Sequence, residues 1–147
     1  MFFNSNIDLL LVDGSTAESR LIKEALFRSQ IGYNIFHVDD GEKALGYLNK
    51  QSTYKNCKSP SLILLNLNLP RIDGVELLRI IKEDEKLKII PVVMLIDSSY
   101  EKYINDSYGN GANAVIVKPF DFEEFEELLR SLEDFWINQT LLPRIKD

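Results

Sequence analysis

The sequence predicts an α/β fold, a doubly wound five-stranded parallel sheet with five helices. Three observations lead there. Short apolar runs alternate five times with amphipathic stretches, the pattern of strand–helix–strand units with right-handed crossovers. The runs "IDLLLVD", "LILLNL" and "IIPVVMLID" are almost continuously apolar, as strands covered on both faces require. At 147 residues, with neither repeats nor low-complexity segments, the chain suits one domain.

The elements follow in order. "IDLLLVD" (Ile7–Asp13) is the first strand, and "STAESRLIKEALFRSQ" the first helix. Ser15 is its N-cap, Glu18 completes a capping box, and Leu21, Ile22, Ala25 and Leu26 share one face. "YNIFHV" is the second strand, and "DGEKALGYLNKQ" a helix opened by Asp-Gly. A polar loop over 52–60 precedes the strand "LILLNL" and the helix "GVELLRIIKED". "IIPVVMLID" carries Pro91 near its start, where a missing donor is tolerated. A helix over "SSYEKYINDSYGNG" ends in Gly and Asn, which suit a C-cap. "AVIVKP" is the fifth strand. "DFEEFEELLRSLEDFW" is the fifth helix, with a capping box at Asp121 and Glu124. The expected domain covers 1–135, and 136–147 is a C-terminal extension outside the alternation.

Seventeen basic against twenty-three acidic residues give a net charge of −6, which argues against nucleic-acid binding through a basic face. The one cysteine, Cys57, excludes an intrachain disulfide and fits a reducing compartment. No segment approaches the roughly 20 apolar residues of a membrane span, and "MFFNSNID" lacks the features of a signal peptide. A cytoplasmic protein is expected, with neither membrane nor nucleic acid as partner.

In doubly wound folds ligands sit beyond the carboxyl ends of the strands. The residues placed there are Asp13-Gly14-Ser15, Asn66, Ile96-Asp97-Ser98 and Lys118-Pro119. An apolar run that delivers a carboxamide, Asn66, to such a position is chemically unusual.

Taken together, these strand ends resemble the receiver domain of two-component response regulators, over roughly residues 7–133. "LILLNLNLPRIDG" resembles the acceptor segment, "VDDGEKAL" the second strand-to-helix turn, and "VKP" the lysine–proline signature. "LNLPR.DG", "IPVV" and the later "EDFW" and "LP" are similar to single-domain regulators of bacterial phytochromes and related hybrid kinases. The resemblance implies a flavodoxin-like receiver fold. It also implies an acidic pair and an Asp that hold Mg²⁺, since hard cations want oxygen ligands. That Asp accepts the phosphoryl group, while a Thr or Ser and a Lys bind its oxygens.

Carried over residue by residue, the pattern is incomplete here. The acceptor position is Asn66, a neutral amide that forms no acyl phosphate. The acidic pair keeps Asp13, but its second member is Gly14. The strand-four hydroxyl position is Ile96, and the aromatic switch position is Val115. Asn68, whose backbone carbonyl would face a metal, and Lys118 are retained. Asp97 lies beside the pocket. The resemblance therefore implies no cofactor, with Mg²⁺ binding weak or absent.

Plainer roles are expected for several of these residues. Asn66 suits an amide that caps loop backbone groups. Lys118 suits an ion pair with Asp13 or Asp97, and Lys118-Pro119 resembles the family's cis peptide. His37, without metal-ligand company, is read as packing or edge polarity. The fifth helix carries more large apolar residues than one sheet-facing stripe needs, namely Phe122, Phe125, Leu128, Leu129, Leu132, Phe135 and Trp136. Since the resembling subgroup dimerises through this helix and the following tail, Phe135, Trp136, Leu141 and Leu142 are candidate interface residues.

The expected function is that of a non-enzymatic, atypical receiver in phosphorelay signalling. It acts by protein contact as a homodimer, with a sensor histidine kinase or phytochrome-like hybrid kinase as partner. Because the chain ends soon after the domain, output through a protein contact is expected. The alternative is a receiver that takes phosphate on another carboxylate, Asp13 or Asp97. A flavodoxin-like cofactor carrier fits poorly, because "DGSTAES" offers one Gly and a competing acid where phosphate would need a cradle.

Overall fold

The computed structural model describes residues 7–27 and 33–145. The expected last turn of the first helix, over 28–30, and the final two residues of the extension lie outside them. Strands β1 (Asp8–Val12), β2 (Asn34–Val38), β3 (Leu62–Asn66), β4 (Val92–Ile96) and β5 (Ala114–Val117) form one sheet. All pairs are parallel and the order is β2-β1-β3-β4-β5. Helices α1 (Thr16–Phe27), α2 (Gly41–Leu48), α3 (Gly74–Glu83), α4 (Glu101–Gly109) and α5 (Phe122–Glu133) complete the five alternations.

The strand pattern has a simple cause. The residues of β3 and β4 are buried throughout, whereas β2 and β5 lie at the sheet edges and alternate or stay half-buried. Because side chains alternate across a pleat, each strand supplies two layers. Leu10, Val12, Ile63, Leu65, Val92, Met94 and Ile96 pack with Ala44, Leu48, Leu77 and Ile81, beneath α2 and α3. Leu9, Leu11, Leu62, Leu64, Val93 and Leu95 pack with Ile22, Leu26, Phe125, Leu129 and Leu132, beneath α1 and α5.

Helix starts follow local chemistry. Asp40 accepts from the Lys43 N–H at 2.7 Å, Asp73 from Glu76 N–H at 2.9 Å, and Asp121 from Glu123 N–H at 2.7 Å. Each side chain satisfies a helix-end donor that lacks an intrahelical partner. Gly74 is needed for a different reason. A Cβ there would lie 2.5 Å from the Asn66 carbonyl oxygen and 2.7 Å from Leu67 Cα. Only glycine lets the first turn of α3 close on the end of β3, where Gly74 N–H donates to Leu67 C=O at 2.8 Å.

The polar loop contains a single 3₁₀ turn, Ser52–Tyr54, and Pro91 falls just before β4. After α5 the backbone does not stop. It widens into a π-helical stretch, Asp134–Gln139, whose residue Ile137 is buried in the α1–α5 layer, as is Leu142 beyond it. Ile145 packs against the opposite layer, so residues 142–145 cross from one layer to the other. No described helix is long and apolar enough to cross a membrane.

Candidate functional site

Side-chain parity brings the expected residues together. Asp13, Asn66, Asp97 and Lys118 each continue the row of their strand that faces α1 and α5, one step beyond its apolar part. Ile96 and Val115 belong to the other row. Ile96 is fully buried, and Val115 packs half-buried against the same layer. Gly14 and Asn68 are exposed at the rim.

Asn66 is only 5% exposed and stands between two charges. Its amide nitrogen donates to Asp13 Oδ1 at 3.2 Å, and its oxygen accepts from Lys118 Nζ at 3.2 Å. That oxygen also takes the Asn68 backbone N–H at 3.3 Å. Asp13 is wholly buried; its Oδ1 accepts the Ser15 N–H at 2.8 Å, while Oδ2 has no hydrogen-bond partner among the described residues. The Asp13 carbonyl is 2.8 Å from His37 Nε2, which ties the pocket floor to edge strand β2.

Lys118 forms the expected ion pair with Asp97 and adds one the sequence reading did not name, with Glu18. Its ammonium lies 2.9 Å from Asp97 Oδ1 and 2.8 Å from Glu18 Oε1, and reaches Asp13 only by way of Asn66. Glu18 was assigned to a capping box, yet only half of that box forms. Its N–H donates to Ser15 Oγ at 3.2 Å, while its carboxylate turns into the pocket. The approach to Lys118 is that of an ion pair, not an aligned hydrogen bond. A signal for Glu18 was present in the sequence: the pocket residues share the strand row that α1 covers, and Glu18 opens α1. The expected cis bond at Lys118-Pro119 is corrected: the described residues contain no cis peptide, in line with the usual trans preference of X-Pro bonds.

The electrostatics follow from burial and pairing. Burial alone would lower the Lys118 pKa, but Glu18 and Asp97 outweigh it and hold the ammonium above its ordinary value. Burial pushes the Glu18 carboxyl up, against the opposing pull of Lys118. Asp97 is held below the usual carboxylate range by Lys118, with help from the Asn68 amide, whose nitrogen donates to Asp97 Oδ2 at 2.7 Å.

This donor set does not fit a magnesium ion. Mg²⁺ surrenders its waters reluctantly and needs anionic oxygens free to bind it. Asp13 Oδ2 is free of hydrogen bonds among the described residues, but it is too little by itself. Position 14 supplies no side chain, Asn66 supplies a neutral oxygen already engaged by Lys118, and Glu18 and Asp97 are paired with the same ammonium. Among the described residues no group of three His, Cys, Asp or Glu is placed to hold a metal.

Of the candidate interface residues, Phe135 and Leu141 are 56% and 75% exposed. Trp136 is half-buried and meets Phe135 edge-on at 5.5 Å, whereas Leu142 is taken up by the chain's own core. Phe120 and Phe122, which follow Lys118 in the chain, add exposed aromatic surface.

Comparisons with known proteins agree with this architecture. Residues 9–130 match the model of the response regulator receiver domain. Response regulator Rcp1 of Synechocystis is 38% identical over 135 residues, covering 92% of each chain. The probable methanogenesis regulatory protein FilR2 of Methanothrix harundinacea is 33% identical, covering 92% of this chain and 86% of its own. Among solved structures, the phosphorylated cyanobacterial phytochrome response regulator RcpA superposes with a TM-score of 0.91 at 39% identity. It covers 95% of this chain and 99% of its own. Mn²⁺-bound Rcp1 superposes with a TM-score of 0.90 at 38% identity, covering 93% and 99%. The chain belongs to the response regulator receiver-domain family, and with it to two-component signalling.

Proposed function

We propose that this receiver is atypical: it signals through protein–protein contact and does not form an aspartyl phosphate. The observation that carries the reading is Asn66 at the acceptor position, hydrogen-bonded on both sides to Asp13 and Lys118. An amide nitrogen delocalised into its carbonyl attacks phosphorus poorly, and no mixed anhydride forms from it. Gly14 and Ile96 remove a metal ligand and a phosphoryl contact from two further elements. The similarity to phytochrome response regulators supports a phytochrome-type histidine kinase as partner, and the exposed Phe135 and Leu141 support self-association through the last helix and tail.

The alternative, phosphorylation of another carboxylate, concerns Asp13, which meets Lys118 only through Asn66, and Asp97, 2.9 Å from Lys118; Glu18 at 2.8 Å joins them as a third candidate. One experiment separates the two. The protein is incubated with acetyl phosphate and Mg²⁺ and its intact mass recorded, beside a phosphorylatable receiver as control. No added phosphoryl group is expected; stoichiometric, acid-stable, hydroxylamine-labile uptake overturns the proposal.

A further inference from the structure

We propose that Glu18 is a built-in latch, whose carboxylate occupies Lys118 and keeps incoming anions from it. This rests on the reading that the native pocket takes no phosphoryl group, and it adds a separate cause for that silence.

A lysine ammonium has three N–H donors. Three oxygens surround Lys118 Nζ: Glu18 Oε1 at 2.8 Å, Asp97 Oδ1 at 2.9 Å and Asn66 Oδ1 at 3.2 Å. Together they crowd the ammonium with negative and partly negative oxygens, Glu18 by charge alone and without an aligned hydrogen bond. The three contacts are not equal. The Asp97 side chain is 58% exposed and swings into water at little cost, while that of Glu18 is 18% exposed and held by the first turn of α1. An anion that approached Lys118 would also meet Asp13, Glu18 and Asp97, three carboxylates against one ammonium. The latch joins the start of α1 to the end of β5. Restoring an acceptor aspartate at position 66 therefore leaves the pocket shut.

The test rebuilds the acceptor and then lifts the latch. Position 14 accepts a side chain with small adjustments, since a Cβ there would meet Pro70 Cδ at 3.2 Å and the Asp39 carbonyl at 3.3 Å. The variants G14D/N66D and G14D/N66D/E18A are treated with acetyl phosphate and Mg²⁺, and the rate of phosphoryl mass gain is measured. The triple variant is expected to react about tenfold faster or more, as befits removal of a charge-assisted contact. Equal rates overturn the latch, whereas phosphoryl uptake by the native chain overturns the reading beneath it. A second measurement needs no rebuilt acceptor. Acetylation of Lys118 by dilute acetic anhydride, mapped by peptide mass, is expected to quicken several-fold in E18A, because the amine loses its carboxylate cover. An unchanged rate at Lys118, with the surface lysines as internal reference, overturns the latch as well.

Discussion

Lys118→Met gives the sharpest physical test of how the pocket is held. The substitution keeps the length of the side chain and removes the one positive charge among Asp13, Glu18 and Asp97. Loss of one partner from a buried pair costs about 3–5 kcal/mol, because the other charge is left without compensation. Asp97 is largely exposed and re-solvates, so little of the penalty arises there. Glu18 cannot re-solvate so readily, and Asn66 loses a donor to its buried oxygen. The expected loss at pH 7 is therefore about 2–4 kcal/mol, just below that range.

The pH dependence follows from the direction of the Glu18 shift. Burial already raises its carboxyl pKa, and Lys118 opposes that rise. Without Lys118 the folded-state pKa climbs further. An acid whose folded pKa exceeds its unfolded value costs stability while ionised, and the cost fades as pH falls through the folded pKa towards the unfolded one. The deficit of Lys118→Met should thus narrow between pH 7 and the ordinary carboxylate value near 4.5. Urea titrations of both proteins at several pH values provide the measurement. A deficit under about 0.5 kcal/mol at pH 7, the level of an ordinary surface change, refutes the reasoning. So does a deficit that widens on acidification.

Other substitutions probe the fold and the surface. Gly74→Ala places a methyl 2.5 Å from the Asn66 carbonyl and should destabilise by about 2 kcal/mol or more, read as a lowered urea midpoint. Leu129→Ala, at a fully buried position between α5 and the sheet, should cost about 2–5 kcal/mol by the same measurement. Phe135→Ser, on the same helical run but exposed, should change stability by less than about 0.5 kcal/mol. It should nevertheless weaken self-association in sedimentation velocity; an unchanged association constant removes Phe135 from the interface.

Fold class, the succession of elements along the chain and the strand-end residues of the pocket were legible in the sequence. Short continuous apolar runs alternating with amphipathic helical stretches fit strands buried on both faces, and a doubly wound sheet puts their carboxyl ends at one site. The same information located Asp13, Asn66, Asp97 and Lys118 at the strand ends, while only the resemblance to receiver domains implied an acid at the position of Gly14. Strand parity would have gone one step further, since it sorts these four onto the α1–α5 face and Ile96 and Val115 onto the other.

The partner of each charge was decided only in three dimensions. Local spacing assigns Glu18 to its own helix start, where an Asn-, Ser- or Thr-type cap makes a capping box the natural expectation. A carboxylate, however, goes wherever the nearest uncompensated cation lies, and Lys118 is one hundred residues away in the chain and 2.8 Å away in space. Pairwise Coulomb energy depends on distance and local dielectric, neither of which a sequence window contains. The tail shows the same limit: Phe135 and Leu142 read alike as apolar residues near a helix end, yet the path of the backbone after α5 exposes the first and buries the second.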